Sequence, residues 1–256
     1  PSGGFDGPNV SRVDRAVNQL TARPIRAGAI VFIVDHRTRQ SFLTGKEELW
    51  HDYLGLDAGG LKIGLGLRFG ILDDRDVGLY RLNGTSEVFD SYELDARYRF
   101  LDQENYGLDL AVRAGVTAFV HPGDIYALGY LGQLMLDRIF ADELLVGLSV
   151  MVHSDSSNDV KSVDDTDWSL GLGVQLEWRF VDWMAWDLEV GANLAGYGAD
   201  WPAFATSLKI LSHRHTFSIV FSNTQYMGAD GQVANTWRGF DDLILGFQIT
   251  REWNLW

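Results

Sequence analysis

Strict alternation of apolar and polar residues over residues 166–194 is the feature that most constrains the fold. In this stretch, TDWSLGLGVQLEWRFVDWMAWDLEVGANL, every second residue from Trp168 to Phe180 is apolar, and the residues between them are polar or glycine. The pattern resumes after a break near Val181-Asp182. Successive side chains of a β-strand point to opposite faces, so a period of two indicates a strand with one apolar face. The stretch therefore predicts two antiparallel strands joined by a tight turn.

The same alternation recurs along the chain after about residue 28, and helical spacing is hard to find there. It predicts an all-β fold in one barrel domain over residues 28–256, preceded by an N-terminal segment over residues 1–27. The twelve predicted strands cover residues 28–36, 60–70, 74–82, 88–100, 105–118, 125–138, 142–152, 167–180, 183–194, 203–212, 215–223 and 241–253.

The connections between these strands alternate in length. The tight ones are residues 71–73, 101–104, 139–141, 181–182 and 213–214, and the others are residues 37–59, 83–87, 119–124, 153–166, 195–202 and 224–240. Short turns at one end and longer loops at the other are typical of outer-membrane barrels with an even number of antiparallel strands. We therefore expect a transmembrane up-and-down β-barrel in the bacterial outer membrane, with both termini on the periplasmic, short-turn side.

A soluble barrel or sandwich would also alternate apolar and polar residues. Two observations favour the membrane barrel. The polar face is rich in glycine, which suits a confined lumen better than a solvated strand surface. A barrel of twelve strands is also too wide for apolar side chains to fill, because about eight strands already suffice. The apolar face should therefore point outward, towards lipid.

Composition excludes several other classes of protein. A net charge of -14 argues against a nucleic-acid partner, because phosphate binding needs clustered Lys and Arg. The absence of cysteine excludes disulfides and thiolate metal sites. No run of about 18 apolar residues is present to form a transmembrane helix. Since no export signal opens the sequence, we expect that a signal peptide has been removed before Pro1.

Aromatic residues gather at one end of the predicted barrel. Amphipathic rings favour the boundary between lipid and water, where their polar and apolar parts are both accommodated. We expect an aromatic belt at the inner membrane interface, formed by Trp178, Phe180, Trp183, Trp186 and Trp253.

Several motifs together resemble those of an uncharacterised bacterial family of membrane-bound outer-membrane β-barrels, known as a domain of unknown function. They are His36-Arg37, Gly55-Leu56-Asp57, Gly78 to Arg81, Leu101 to Gln103, and the closing segments HTFSIVFSNTQ and DDLILGFQITREW. The chain departs from the family pattern at Thr38-Arg39 and at Asp95-Ala96-Arg97. The resemblance covers most of residues 28–253, and it implies a fold and a location rather than an activity.

Charged residues of both signs occupy the face that should line the lumen. The cations are Lys62, Arg68, Arg97, Arg99, Arg113 and Arg179, and the anions are Glu93, Asp95, Asp109, Asp137, Glu177, Asp187 and Glu189. Opposite charges on facing strands tend to pair, which favours a network that holds a narrow or occluded barrel. The same side chains could instead line a pathway for polar solutes. Both interpretations stay open.

Two local clusters suggest other chemistry. Asp155, Ser157 and Asp159 have the alternate spacing of calcium ligands, but no glycine stands at the sixth position of that loop and Thr166 stands where a calcium loop has glutamate. They are a weak calcium candidate. His153 precedes Ser154 and Ser156, which invites comparison with lipid hydrolases. Strand parity points His153 into the lumen and away from lipid, so we expect no catalytic residues.

His213 and His215 lie two residues apart on one strand face, and without a third ligand such a pair is more often incidental than metal-binding.

The N-terminal segment is polar, with a helix-compatible run from Ser11 to Leu20. It could plug the lumen, hold a periplasmic partner, or be a disordered leader.

These observations lead to three functional hypotheses. The first is a non-enzymatic, porin-like barrel of the cell envelope that gives small polar solutes passive passage through a narrow, charge-lined lumen. The second is an occluded structural barrel that anchors or scaffolds an envelope complex through residues 1–27 or the long loops. A lipid hydrolase of the outer membrane is a minor alternative. We expect outer-membrane lipid as the surroundings, and neither a cofactor nor a nucleic-acid partner.

Overall fold

The computed structural model describes residues 14–42, 61–84, 90–121, 124–154, 168–196, 199–233 and 235–255. The strands are β1 (Ala29–Ser41), β2 (Leu61–Leu72), β3 (Arg75–Leu82), β4 (Asp90–Leu101), β5 (Asp109–His121), β6 (Asp124–Phe140), β7 (Leu144–Ser154), β8 (Trp168–Val181), β9 (Met184–Gly196), β10 (Ala203–Leu211), β11 (His215–Ser222) and β12 (Ile244–Asn254). Two short helices accompany them, α1 (Gln103–Tyr106) and α2 (Ala229–Val233). No helix among these residues is long and apolar enough to cross a membrane.

Every strand pairs antiparallel with its neighbours in sequence, and β1 pairs with β12 to close the barrel. This seam runs in register from Ala29 opposite Asn254 to Arg37 opposite Gly246. The predicted all-β, twelve-strand up-and-down barrel is therefore confirmed. Closure leaves no strand edge with unpaired backbone groups.

Most strand boundaries lie within a few residues of the prediction, and the differences have local causes. The strand predicted at residue 105 begins only at Asp109, because residues 103–106 form one turn of helix. Asp102 caps this turn by accepting hydrogen bonds from the side-chain and backbone amides of Asn105 at 2.9 and 3.0 Å. These bonds lower the pKa of Asp102 below its usual range. The apolar–polar alternation already begins at Tyr106, but the capped helical turn delays the start of β5 to Asp109.

β1 extends to Ser41 instead of ending near residue 36. The backbone pairing continues there although the apolar pattern has stopped, with Arg37 opposite Lys62 and Thr38 opposite Leu61. Side-chain alternation reports which face is apolar, whereas strand length is set by backbone hydrogen bonds. The boundary of β1 that the pattern predicts is for this reason too short.

The two faces of the barrel wall have opposite chemistry. On β8, Leu172, Val174 and Trp178 lie exposed on the outside, whereas Gln175 and Glu177 are buried inside. Soluble proteins place their apolar side chains in the interior, so this arrangement is inverted. The outer surface is apolar and the interior is polar.

The five residues predicted as an aromatic belt lie on or beside the outer face near the short-turn end. Trp178 and Trp186 are directly opposite each other on β8 and β9, and both are exposed. The Trp186 indole N–H donates to Thr206 Oγ1 at 2.8 Å. Phe180 and Trp183 are also exposed, while Trp253 is half-buried beside Arg251, whose guanidinium lies 5.0 Å from the ring centroid.

The chain enters the barrel before it forms the first strand. Residues 14–25, which we call the plug, lie inside the lumen with most of their side chains buried. Gly28 then turns the chain into β1 with a left-handed φ of 72°, which suits a residue without a Cβ. Its N–H donates to the Gly70 carbonyl at 2.9 Å and its carbonyl accepts from Leu255 at 2.8 Å. The plug is thereby fixed to both β2 and the end of β12.

Candidate functional site: a plugged, charged lumen

The charged residues predicted to line the lumen all lie on the inner face of the wall. Arg99 is half-buried near the short-turn rim, and the others are buried: Lys62, Arg68, Glu93, Asp95, Arg97, Asp109, Arg113, Asp137, Glu177, Arg179, Asp187 and Glu189. Some of them form two ion-pair networks on different parts of the wall, one on β2 to β5 and one on β8 to β10.

The first network crosses strands β2 to β5. Arg68 donates to Asp76 at 2.6 Å and to both oxygens of Asp95 at 2.8 Å. Arg97 also binds Asp76, and Arg113 bridges Asp95 at 3.1 Å and Glu93. Cations and carboxylates therefore alternate across the sheet. Buried charges are tolerated only when they are paired and hydrogen-bonded in this way.

The second network lies on β8 to β10. Lys209 Nζ approaches Glu177 Oε2 at 2.7 Å and Asp187 Oδ1 at 3.0 Å. The Ser207 hydroxyl donates to Asp187 at 2.5 Å. One buried cation here serves two buried carboxylates, so its loss would leave both without their counter-charge.

Glu189 is the principal anchor of the plug. Its Oε2 accepts the backbone N–H groups of Val17, Asn18 and Gln19 at 3.1, 2.8 and 2.9 Å. Its Oε1 accepts the side-chain amide of Asn18 at 2.6 Å. A carboxylate that meets consecutive backbone N–H groups makes charge-assisted hydrogen bonds, which are stronger than neutral ones. This one side chain thus accepts all three backbone N–H groups of residues 17 to 19.

Other wall side chains hold the remaining plug backbone. Carboxylates take its N–H groups: Asp137 accepts from Ala22, and Asp76 accepts from Ile25 at 2.9 Å. Donor side chains take its carbonyls, with the following pairs: Arg97 to Asp14 at 3.2 Å and to Thr21 at 2.6 Å, Lys209 to Arg15 at 3.2 Å, Gln175 to Leu20 at 3.2 Å, and Gln248 to Val17 at 2.9 Å. The ion-pair networks of the wall therefore also bind the plug.

Apolar contacts between plug and wall are small and dispersed. Val17 packs with Ala205 and Val220, and Leu20 and Ala22 pack with Ala111 and Met135. Ile25 joins a larger cluster with Val31, Ile33, Tyr80, Leu82 and Met227. The interface is thus mainly polar, unlike the core of a soluble domain.

A second segment enters the lumen from the long-loop end. It carries α2, and we call residues 223–233 the inserted loop. Glu93 accepts the Ala229 N–H at 2.9 Å, and Gln232 reaches the plug through the Asn18 carbonyl at 3.0 Å. Gly171 and Gly191 make room for this loop, because a Cβ would lie 2.7 Å from Val233 and 2.6 Å from the Gln232 carbonyl. The glycine-rich inner face accommodates the segments that fill the barrel.

Little free space is left among the described residues of the lumen. One cavity of about 20 Å³ lies between the plug, the inserted loop and the Arg68–Arg113 network. Another of about 50 Å³ lies near the short-turn end, beside Asp14, Arg179, Lys209 and His215. Spaces of this size hold one or a few water molecules. The observed state of the described lumen is closed.

Sequence reasoning missed several inner-face residues. Asp76 and Lys209 belong to the two networks, and Asp35 and Arg37 are buried on β1. Strand parity would have placed each of them inside, but the mixture of apolar and polar residues on the inner faces of these strands hid the signal. The plug itself carries no periodic pattern, so only the short helix-compatible run pointed to it. Of that run, Asp14 to Leu20 are described and form no helix.

The alternative sites are only partly covered by the described residues. His153 is buried in the wall with its Nε2 3.1 Å from Thr117 Oγ1, and Ser154 Oγ accepts the Tyr130 N–H at 2.8 Å. His215 stacks on Phe217. Among all residues that the structure describes, no group of three His, Asp or Glu side chains is placed to hold a metal ion. The calcium candidates Asp155, Ser157 and Asp159, and also Ser156, lie outside the described residues.

Two of the motif residues meet at the seam. His36 on β1 stacks on Phe247 of β12 with ring centroids 4.4 Å apart. Gly246 lies beside them, where a Cβ would come within 2.3 Å of the His36 carbonyl. The motifs near the two chain ends therefore meet at the closure of the barrel.

Comparison with known proteins identifies the fold. The family described as membrane bound beta barrel domain (DUF5777) matches residues 13–253. The KdgM porin, solved in complex with disordered oligogalacturonate, matches with a TM-score of 0.53 and 10% identity over 88% of this chain and 98% of its own. The NanC porin matches with a TM-score of 0.50 and 11% identity over 87% and 97%. A search of curated proteins gave no match. At these identities the likeness to the two porins concerns the fold.

Proposed function

The chain belongs to the family of membrane bound beta barrel domains (DUF5777), and from this premise we propose that it is a non-enzymatic outer-membrane barrel that passes small polar solutes when its plug is displaced. Gly28, before β1, and Leu255, after β12, lie together at the short-turn end. In this proposal that end, and with it both termini, faces the periplasm. The belt of Trp178, Phe180, Trp183, Trp186 and Trp253 then marks the inner membrane interface.

The observation that carries the proposal is the chemistry of the plug's attachment. The plug is held mainly by hydrogen bonds to side chains such as Glu189 and Arg97. Water can replace hydrogen bonds of this kind, whereas it cannot replace a large apolar interface. A lumen without its plug would therefore be polar, lined by charged side chains on β2 to β5 and on β8 to β10, and ready to fill with water. The fold shared with two porins supports the same conclusion.

The charges of the lumen set what could pass. Arg68, Arg97 and Arg113 face Asp76, Glu93 and Asp95 across a few ångströms, so neither sign dominates this part of the wall. Selective ion channels usually carry an excess of one sign at the constriction. The balanced wall favours uncharged or zwitterionic polar solutes over a particular ion.

An occluded structural barrel is the second candidate, and the closed lumen favours it. In that case the plug and inserted loop are permanent, and the protein acts through a partner that binds residues 1–27 or the loops. Lipid hydrolysis gains no support, because His153 faces the interior and lies away from the lipid-facing surface.

Conductance with a plug that can be locked in place tests the proposal. We would replace Val17 and Ala205, which share one apolar cluster, by cysteine in this cysteine-free chain and record single channels in planar bilayers. The control pair is Ala205→Cys with Ser222→Cys, which are directly opposite on β10 and β11 and leave the plug free. The expected result is that oxidation abolishes conductance in the first pair alone, and that reductant restores it. Silence of both pairs and of the parent chain at all voltages would instead support the structural barrel.

A further inference from the structure

The wall sorts the polar groups of the plug backbone by type. The N–H groups of Val17, Asn18, Gln19, Ala22 and Ile25 are bound by carboxylates of the wall. The carbonyls of residues 14, 15, 17, 20 and 21 are bound by arginine, lysine or glutamine side chains of the wall. Acceptors and donors are thus presented where a peptide main chain needs each of them.

The plug side chains add fewer close contacts to this recognition. Asp14 and Arg15 make only long ion pairs, with Arg68 at 3.6 Å and with Asp35 at 4.0 Å. Asn18 bonds to Glu189 and Arg37, and Gln19 donates to the Val190 carbonyl at 3.0 Å. Arg23 pairs with Asp109 at 2.5 Å near the short-turn rim. The apolar contacts use small or medium side chains, for which many sequences offer substitutes. Main-chain groups are common to all peptides, so a wall that binds them accepts more than one sequence.

The plug also has a compact backbone shape of its own. The Ala16 N–H donates to the Gln19 carbonyl at 2.9 Å, and the Thr21 N–H donates to the Asp14 carbonyl at 2.9 Å. Arg15 and Leu20 form an isolated antiparallel bridge. These bonds describe a reverse turn within a short irregular peptide. The shape requires neither a helix nor a strand from its occupant.

We propose that the inner wall is a binding site for short unstructured peptides, and that the plug is its resident occupant. The solutes of this barrel are then peptides comparable in length with residues 14–25, which the wall holds by their main chain. This inference deepens the proposed function and rests on it, because the plug must leave before another peptide can enter. Acidic oligosaccharides are the competing class, and they lack the alternation of N–H and C=O groups that the wall satisfies.

An exchange experiment on the full chain tests the site without requiring conductance. A protease recognition sequence is inserted between Arg26 and Ala27, and the folded protein is cut so that the plug stays only by non-covalent contacts. A fluorescent peptide of residues 14–25 then replaces it, and fluorescence anisotropy reports the exchange. Three competitors follow. One carries alanine at the positions of Asn18, Gln19 and Arg23, one has ester bonds in place of the Asn18 and Ala22 amides, and one is a short oligogalacturonate.

The expected ranking follows from main-chain recognition. The alanine-substituted peptide should compete within about tenfold of the parent peptide, whereas the ester peptide should be weaker by more than about tenfold, because it loses charge-assisted hydrogen bonds to Glu189 and Asp137. The oligosaccharide should not compete. Equal binding of the ester peptide, failure of the alanine-substituted peptide, or no exchange after complete cleavage would each overturn the inference. If peptides exchange in a barrel that never conducts, the peptide site is supported and solute passage is refuted. If the barrel conducts but binds no peptide, solute passage is supported and the peptide site is refuted.

Discussion

Glu189 accepts the backbone N–H of Asn18 at 2.8 Å, although 171 residues separate the two in sequence. This bond joins the plug to the middle of β9 and, with its neighbours, holds residues 14–25 inside the barrel.

Substituting Glu189→Gln should loosen the plug selectively. The amide keeps the size of the side chain but removes the charge that accepts three backbone N–H groups. We expect the free energy of plug opening to fall by about 2 kcal/mol, which corresponds to roughly 30-fold faster exchange of these amides. Hydrogen–deuterium exchange followed by mass spectrometry of residues 14–25 measures this.

Glu93→Gln is the matched control for that experiment. Glu93 is also a buried wall carboxylate, but it holds the inserted loop through Ala229 and pairs with Arg113. It should accelerate exchange near residue 229 and leave residues 14–25 protected. If both substitutions loosen both segments equally, the plug and the inserted loop form one cooperative unit and Glu189 has no special role.

Lys209→Met should destabilise the barrel by about 3–5 kcal/mol, because it leaves the buried carboxylates of Glu177 and Asp187 without their cation. Adding Glu177→Gln and Asp187→Asn should recover most of this loss. Urea unfolding in detergent micelles, followed by tryptophan fluorescence, compares the single and triple variants. A triple variant no more stable than Lys209→Met would show that Lys209 acts through packing and its bond to the Arg15 carbonyl instead of through charge pairing.

Gly171→Val should expel or strain the inserted loop. A Cβ at this position already lies 2.7 Å from Val233, so a branched side chain overpacks the contact and costs about 1–3 kcal/mol. Gly132→Val is the control, since its Cβ points outward and meets only Val152 at 3.6 Å. Chymotrypsin cleavage after Tyr226 in the inserted loop should rise in the first variant alone. Unchanged protection in both would mean that the loop adjusts without cost.

Orientation in the membrane can be tested with epitope insertions. An epitope inserted between Asp182 and Trp183, in the turn that joins β8 and β9, should bind antibody only after the outer membrane is permeabilised. An epitope between residues 160 and 161, in the connection between β7 and β8, should bind antibody on intact cells. The reverse result would place the termini outside the cell and contradict the proposed orientation.

The sequence predicted the structure well where the residue type alternates with the two-residue period of a β-strand. The period of two in β8 and β9 arises because Trp178 and Val174 face outward while Glu177 and Gln175 face inward, and this difference is visible in residue type alone. The alternating lengths of the connections added the topology. Strand order and the inner position of the charges were therefore predictable.

The plug could not be predicted in the same way. Its contacts with Glu189 use backbone N–H groups, which every residue except proline has. The residue types at positions 17–19 therefore do not reveal these hydrogen bonds. Ion-pair partners were also inaccessible. Lys209 on β10 meets Glu177 on β8 because of the register between β8, β9 and β10. An alternating pattern shows which face a residue lies on, but it does not show which residue of the neighbouring strand lies opposite.

The seam between β1 and β12 has a consequence for the order of assembly. The plug immediately precedes β1, and its anchors Asp137 and Glu189 lie on β6 and β9, strands remote from the seam. While the sheet is still open, the plug can lie against these strands and donate its backbone N–H groups to the Asp137 and Glu189 carboxylates. Pairing of β1 with β12 then encloses it. An order of assembly in which the plug binds β6 and β9 before β1 pairs with β12 therefore encloses residues 14–25 without threading, and the lumen then opens only if the plug leaves afterwards.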